Sequence, residues 1–284
     1  LSGLDVVTNI WKLDIGNIYR CTNFMGLGGS NQVFVSGAMA YEARWPNNTG
    51  TYTYFSTDHP SANGTRSSNG LTNYFTDGNF PFTNSAELNG SKIWIAPGYQ
   101  YSCYVKAVRS YNPATKTIAY DSVDTGTGWL PYSYSPFYLF GCKSLLDTTN
   151  EWWYDQTNQV LYLWAPGNAD PNTLTVEVKA RDCGFVLDNL NFINISGLQL
   201  KGCRINARFS NGTILRGLNC QYILNNCSGT GNGEGIYVRG NNCEVSGCEI
   251  AYSSHALLNV ELSDGCMIFN NYLHDGCSVS QSRA

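Results

Sequence analysis

Four segments in the last third of the chain align without gaps: INISGLQLKGC (193–203), TILRGLNCQYI (213–223), CEVSGCEIAYS (243–253) and CMIFNNYLHDG (266–276). One column of this alignment holds Ile195, Leu215, Val245 and Ile268, and another holds Leu200, Cys220, Ile250 and Leu273. Between them Gly197, Gly217, Gly247 and Asn270 mark a shared turn. Short apolar segments recurring every ~20–30 residues with Gly or Asn turns are the signature of a β-solenoid. No single segment of this length can bury its own inner face, so the segments must stack. A further strand precedes each of the last three aligned segments, at 205–212, 235–242 and 257–265. Alternation of period two points Ala207, Phe209, Ile236, Val238, Val260 and Leu262 inward. It points Asn206, Arg208, Tyr237, Arg239, Asn259 and Glu261 outward onto one sheet face, with the register open to a slip of one residue at the turn after Glu261.

Upstream of residue 180 the pattern changes. QVFVSGAMAYEARW (32–45), KIWIAPG (92–98), KTIAYDS (116–122), EWWYD (151–155) and VLYLWAP (160–166) read as strands of uneven length between Gly, Asn and Pro turns. VLYLW and KIWIA alternate as half-buried strands should. The segment 47–79 is rich in Gly, Ser and Asn and reads as a long surface loop. The expected organisation is a β-rich, antiparallel, sandwich- or barrel-like domain over 1–179, carrying the polar loop 47–79, then stacked parallel rungs over 180–284. No signal peptide is read at Leu1, and both chain ends read as cut from a longer polypeptide.

Composition narrows the function. Only 13% of the 284 residues are charged, while 13% are aromatic, enough for a packed core. A net charge of -4 argues against a nucleic-acid binder, and no run of residues is apolar enough for a membrane span. The stretch 181–240 is locally basic and 241–284 acidic, which fits either cross-strand ion pairs or a groove for an anionic or polyhydroxylated ligand. Seven of the eleven cysteines crowd the last 82 residues, without CxxC spacing. They are expected to stack as small buried apolar groups, with one or two disulfides left open. No metal site is expected; calcium has no DxDxDG loop to support it, and no cofactor is implied.

QVFVSGAMAYEARWPN (32–47), FYLFG with LLDTTNEWWYDQTNQVLYLWAPG (137–167) and the repeats ending NNYLHD resemble secreted right-handed parallel β-helix proteins related to glycoside hydrolases and polysaccharide lyases. The resemblance implies an all-β fold: a right-handed parallel β-helix with a preceding or inserted small antiparallel β domain. It also implies an extracellular or cell-surface location, a polysaccharide partner and carboxylates on the outer face of the solenoid.

Glycoside hydrolysis needs two carboxyl groups astride the scissile bond. Glu261 is the first candidate, expected mid-strand beside Arg239 and Asn259; a cross-rung ion pair with Arg239 is the competing role. Asp264 and Glu234 are the other catalytic candidates, against plainer roles as a turn residue before Gly265 and as a solvated charge in the Gly-rich loop GTGNGEG. Glu249 and Asp275 fall on another face. Arg208, Tyr237, Arg239 and Asn259 are substrate-binding candidates, the first three also suiting a lyase. His255 is a candidate proton shuttle or sugar contact, whereas His274 reads as structural. Trp129 and Tyr132 are candidate sugar platforms, while Trp152, Trp153 and Trp164 read as core. Arg44 is expected to tie strands together. The favoured function is a secreted glycoside hydrolase acting on a complex polysaccharide. The alternatives are a non-catalytic fibre, sheath or adhesive protein, with end-to-end or lateral self-assembly, and more weakly a lyase.

Overall fold

A computed structural model describes residues 1–48, 63–68 (backbone only), 72–97, 103–122, 135–225 and 234–277. All described secondary structure is strand, apart from short 3-10 turns. Fifteen strands precede residue 180: β1 (Leu4–Val6), β2 (Lys12–Ile15), β3 (Ile18–Thr22), β4 (Val33–Val35), β5 (Ala38–Glu42), β6 (Arg44–Trp45), β7 (Asn63–Ser68), β8 (Thr72–Thr76), β9 (Lys92–Ile95), β10 (Tyr104–Asn112), β11 (Thr117–Asp121), β12 (Phe137–Phe140), β13 (Glu151–Asp155), β14 (Val160–Trp164) and β15 (Val176–Lys179). They form an eight-stranded sheet, β1-β15-β4-β5-β13-β14-β3-β2, and a seven-stranded sheet, β6-β12-β9-β10-β11-β8-β7. The smaller sheet is antiparallel throughout. The larger is mixed, because β13 runs parallel to β5.

Alternation explains how the sheets stack. In VLYLW, Leu161 and Leu163 face one core with Trp152 and Val176. Tyr162 and Trp164 face a second, aromatic core with Phe75, Phe80, Phe137 and Tyr120. In KIWI, Ile93 and Ile95 enter that aromatic core. Trp94 lies on the opposite face, stacked on Tyr138 with ring centroids 5.2 Å apart. VLYLW keeps the expected alternation, its second face half-buried, whereas KIWI is buried on both faces and the half-buried expectation for it is corrected. The expected loop 47–79 is also corrected in part. β7 and β8 lie inside it and pair with each other, β8 then pairing with β11. TNYFT buries Asn73 and Phe75 on one face, which outweighs the polar composition around it. Arg44 does tie strands together: its Nε donates to the Pro46 carbonyl at 2.9 Å and its guanidinium covers the Tyr138 ring at 4.7 Å.

Beyond residue 180 twelve short strands follow: β16 (Cys183–Val186), β17 (Asn194–Ser196), β18 (Gln199–Lys201), β19 (Arg204–Arg208), β20 (Ile214–Arg216), β21 (Asn219–Leu224), β22 (Glu234–Arg239), β23 (Glu244–Ser246), β24 (Glu249–Ser253), β25 (Ala256–Val260), β26 (Met267–Phe269) and β27 (Tyr272–His274). They form three four-stranded sheets, β16-β19-β22-β25, β17-β20-β23-β26 and β18-β21-β24-β27. Every pairing within them is parallel, and the chain visits the three sheets in turn, four times over. The aligned columns are real neighbours: Ile195, Leu215, Val245 and Ile268 are paired in series. Leu200, Cys220, Ile250 and Leu273 are paired likewise. Gly197, Gly217, Gly247 and Asn270 have φ of 65°, 60°, 60° and 55°, the left-handed turn that Gly and Asn tolerate. Cys203, Cys220, Cys243 and Cys248 pack into this core as free thiols.

Two inward assignments fail. Ala207, Ile236 and Val238 are fully buried, but Phe209 and Leu262 are 54% and 75% exposed. Both adopt left-handed φ, 55° and 47°, beyond the ends of β19 and β25, so the extended backbone on which the alternation rests stops before them.

Candidate functional site

The outer face of the sheet β16-β19-β22-β25 carries a continuous strip of polar side chains. Parallel pairing sets it up, since Asn206, Tyr237 and Asn259 are successive partners in register. Tyr237 and Asn259 each hold a carboxylate. The Tyr237 hydroxyl donates to Glu261 Oε1, and Asn259 Nδ2 donates to Glu234 Oε1 at 3.3 Å. Two of the three sequence-predicted acids are thus gathered around one cross-strand pair. Burial, followed by the Glu261 carboxylate, pushes the Tyr237 phenol up, so it keeps its proton and serves as the donor.

The positions of the acids differ from expectation in detail. Glu234 is not a solvated loop charge. It is the first residue of β22, 8% exposed, and among the described residues its Oε2 has no hydrogen-bond partner. Glu261 lies just past the end of β25, not mid-strand, because the chain turns at Leu262. Its backbone N–H still donates to the Val238 carbonyl at 3.2 Å, and its side chain is exposed. The ion pair with Arg239 does not form among the described residues; Arg239 covers the Phe209 ring at 4.5 Å instead. Arg208 covers the Tyr237 ring at 5.0 Å, leaving its charge beside the Tyr237–Glu261 contact. Asp264 falls outside this constellation, in the turn where its N–H donates to Asn241 Oδ1 at 2.9 Å and Gly265 follows at φ 65°. His255 is 1% exposed, in the bend beside the buried Ser253 and Ser254, so its ring does not present itself on the open face and the sugar-contact role is corrected. Trp129 and Tyr132 lie outside the described residues.

Sequence reasoning missed the foot of the strip. Asp182 takes Arg204 Nε at 2.8 Å and lies 3.4 Å from Lys179 Nζ. Arg204 Nη1 then donates to the Glu234 carbonyl at 3.3 Å. Asp188 accepts from Asn206 Nδ2 at 3.3 Å and from the Arg208 N–H at 3.0 Å. These acids precede the first aligned segment, where no repeat flagged them, but their spacing to Arg204 and Arg208 is about one repeat. On a different face, as expected, His274 is clamped between Asp275 at 2.8 Å and Glu249 at 3.4 Å. Tyr272 stacks on its ring at 4.4 Å. Among the described residues no three His, Cys, Asp or Glu side chains gather as a metal site.

No protein-family model matches this sequence, and no curated protein matches it. A solved structure named "Glycoside hydrolase" superposes with a TM-score of 0.59 at 14% identity, covering 91% of this chain and 53% of its own. The likeness is one of fold. This chain spans about half the length of that neighbour. A second, named "The complex structure of XylC with xylose", is 10% identical with a TM-score of 0.42, covers 96% of this chain and 42% of its own, and is too distant to carry argument. The chain is all-β with parallel sheets, in a fold shared with a structure named for glycoside hydrolysis.

Proposed function

We propose that residues 180–284 wind as a right-handed parallel β-helix behind a β-rich domain over 1–179, and that the molecule is a secreted, carbohydrate-active glycoside hydrolase acting on an extracellular polysaccharide. The observation that carries this reading is the placement of Glu261 and Glu234 on the two members of one cross-strand pair, Tyr237 and Asn259. The two acids differ as the chemistry requires. Glu261 is exposed and accepts the Tyr237 hydroxyl, which holds it on the open face as nucleophile or base. Glu234 is buried, with Oε2 unpartnered among the described residues and so available to face the leaving-group oxygen. Asn206, whose amide is held by Asp188, would grip sugar hydroxyls along the strip. The reaction needs no cofactor, and the fold shared with the neighbour named "Glycoside hydrolase" supports it at the level of architecture.

The test is release of reducing ends from a panel of neutral and acidic polysaccharides. E261Q and E234Q should each lower turnover by roughly 100-fold or more, with the fold intact by circular dichroism. Wild-type turnover in E261Q overturns the assignment. The anomer first released reports the carboxyl spacing, ~5–5.5 Å for retention and ~6.5–9.5 Å for inversion.

A lyase is weaker, because Arg208 and Arg239 already cover aromatic rings.

A further inference from the structure

A cleft of about 530 Å³, lined by none of the strip's residues, opens in the part of the chain before residue 180. Its wall brings together Glu42 at the end of β5, Lys92 at the start of β9 and Trp153 in β13, with Asn89, Gln156 and Thr157 around them. The volume lies within the range of small-molecule sites, ~300–1,000 Å³.

The local geometry shows why these side chains converge. Gly141, at φ 85°, follows β12 and leaves open the space where a side chain would stand. A Cβ there would lie 3.8 Å from Lys92 Cγ and Cδ and 4.0 Å from Glu42 Oε1. Trp153 Nε1 donates to the Gly141 carbonyl at 3.1 Å, fixing the indole in the wall. The other acids here are already occupied. Glu87 caps the turn at Asn84, accepting that residue's N–H at 2.7 Å, and Asp155 accepts the N–H groups of Thr157 and Asn158 at 3.0 Å. Lys143 pairs with Asp14 at 2.7 Å. The side chains of Glu42 and Lys92, by contrast, make no hydrogen bond and no ion pair within 4.0 Å among the described residues, although both line the same cleft. Desolvation raises the Glu42 carboxyl to about 7, against the pull of Lys92. Near neutral pH such a carboxyl both donates and accepts hydrogen bonds, as a sugar hydroxyl does.

We propose that this cleft is a second carbohydrate-binding site, for an uncharged oligosaccharide whose hydroxyls are gripped by Glu42, Lys92 and Asn89 beside the Trp153 indole. The inference rests on the carbohydrate reading above. An acidic sugar is disfavoured, because Glu42, Glu87 and Asp155 outnumber Lys92 and Lys143 in the wall and Lys143 is already paired. An indole in the wall with amide and carboxyl groups around it matches the split between apolar ring faces and polar edges of a pyranose.

Isothermal titration of the whole chain with cellotetraose, xylotetraose and tetragalacturonic acid tests it. At least one neutral tetrasaccharide should bind saturably. E42Q and K92M should each weaken that binding about tenfold or more, and N89A by less. Should E42Q fail to fold, K92M and N89A, whose side chains carry no hydrogen bond of the core, still decide the matter. The proposal is overturned if neither neutral sugar binds, if tetragalacturonic acid binds more tightly than both, or if E42Q and K92M bind as the wild type does. Turnover is read in the same preparations. Absent cleft binding with E261Q-sensitive turnover overturns this inference alone, whereas E42Q-sensitive binding with turnover indifferent to E261Q overturns the catalytic assignment alone.

Discussion

The two regions of this molecule solve the burial problem in different ways. In the parallel sheets of Cys183–His274 each apolar side chain meets its counterpart from the preceding and following circuit, as Leu215 meets Ile195 and Val245. In the two larger sheets, core partners come from distant strands. Phe137 packs within 4.8–6.1 Å of Phe75, Phe80 and Trp45, with no two of these four on the same strand. A stack of near-neighbour contacts spreads a defect only to adjacent circuits, whereas an interlocked aromatic core fails as one unit.

The sharpest break of this comparison is a large-to-small change in each core. Phe137→Ala should cost ~3–5 kcal/mol and lower hydrogen-exchange protection across both larger sheets. Leu215→Ala should cost ~2–5 kcal/mol but lower protection only in the circuits above and below it. Global loss of protection in the Leu215 variant would erase the distinction.

The next effect is electrostatic and belongs to the first region. Glu151 is 2% exposed, and burial, with Asp147 adding to it, raises its carboxyl to about 8. Glu42 is raised to about 7. The folded chain holds protons that the unfolded chain releases from about pH 4.5 upward. Stability from these groups is therefore full below pH ~4.5 and falls as the pH rises to about 8, by on the order of a few kcal/mol. Thermal melts from pH 4.5 to 8.5 should show the decline, and E151Q should flatten it.

Smaller still is the left-handed turn of the stack. Gly217→Ala has room, its Cβ 4.0 Å from the nearest atom, so the cost is backbone strain alone, ~1–2 kcal/mol. Asn270→Gly, in the same column, should change denaturant stability by only a few tenths of a kcal/mol.

The smallest is His274, raised first by its hydrogen bond to Asp275 and then by Glu249. Its contribution is present below pH ~6.5 and is lost as the pH rises past the folded value. His274→Asn should remove that slope from hydrogen exchange in β24 and β27 and leave the first region unchanged.

What was legible in the sequence follows the same division. Columns such as Leu200, Cys220, Ile250 and Leu273 could be read because parallel stacking turns a spatial contact into a repeat along the chain. The outward face with Tyr237, Asn259 and Glu261 followed from them. Phe209 and Leu262 misled because a left-handed corner built from a non-glycine leaves no mark in composition. Glu234 misled because the glycines before it look like loop, although the strand starts at the acid itself. In the first region nothing repeats. β8 was hidden by its polar flanks, and the Glu42 carboxyl was one charge at the end of an apolar run, its neighbours Lys92 and Gly141 in the cleft brought in fifty and a hundred residues later.

The buried thiols have a consequence of their own. Cys21 and Cys142 lie in the first region, Cys220 and Cys248 in the second, all as free thiols, with burial pushing Cys21 and Cys220 up to about 12. An alkylating reagent can reach them only when the chain around them opens. Each thiol is a clock set to its own neighbourhood, and the order in which they run down is the order in which the protein comes apart.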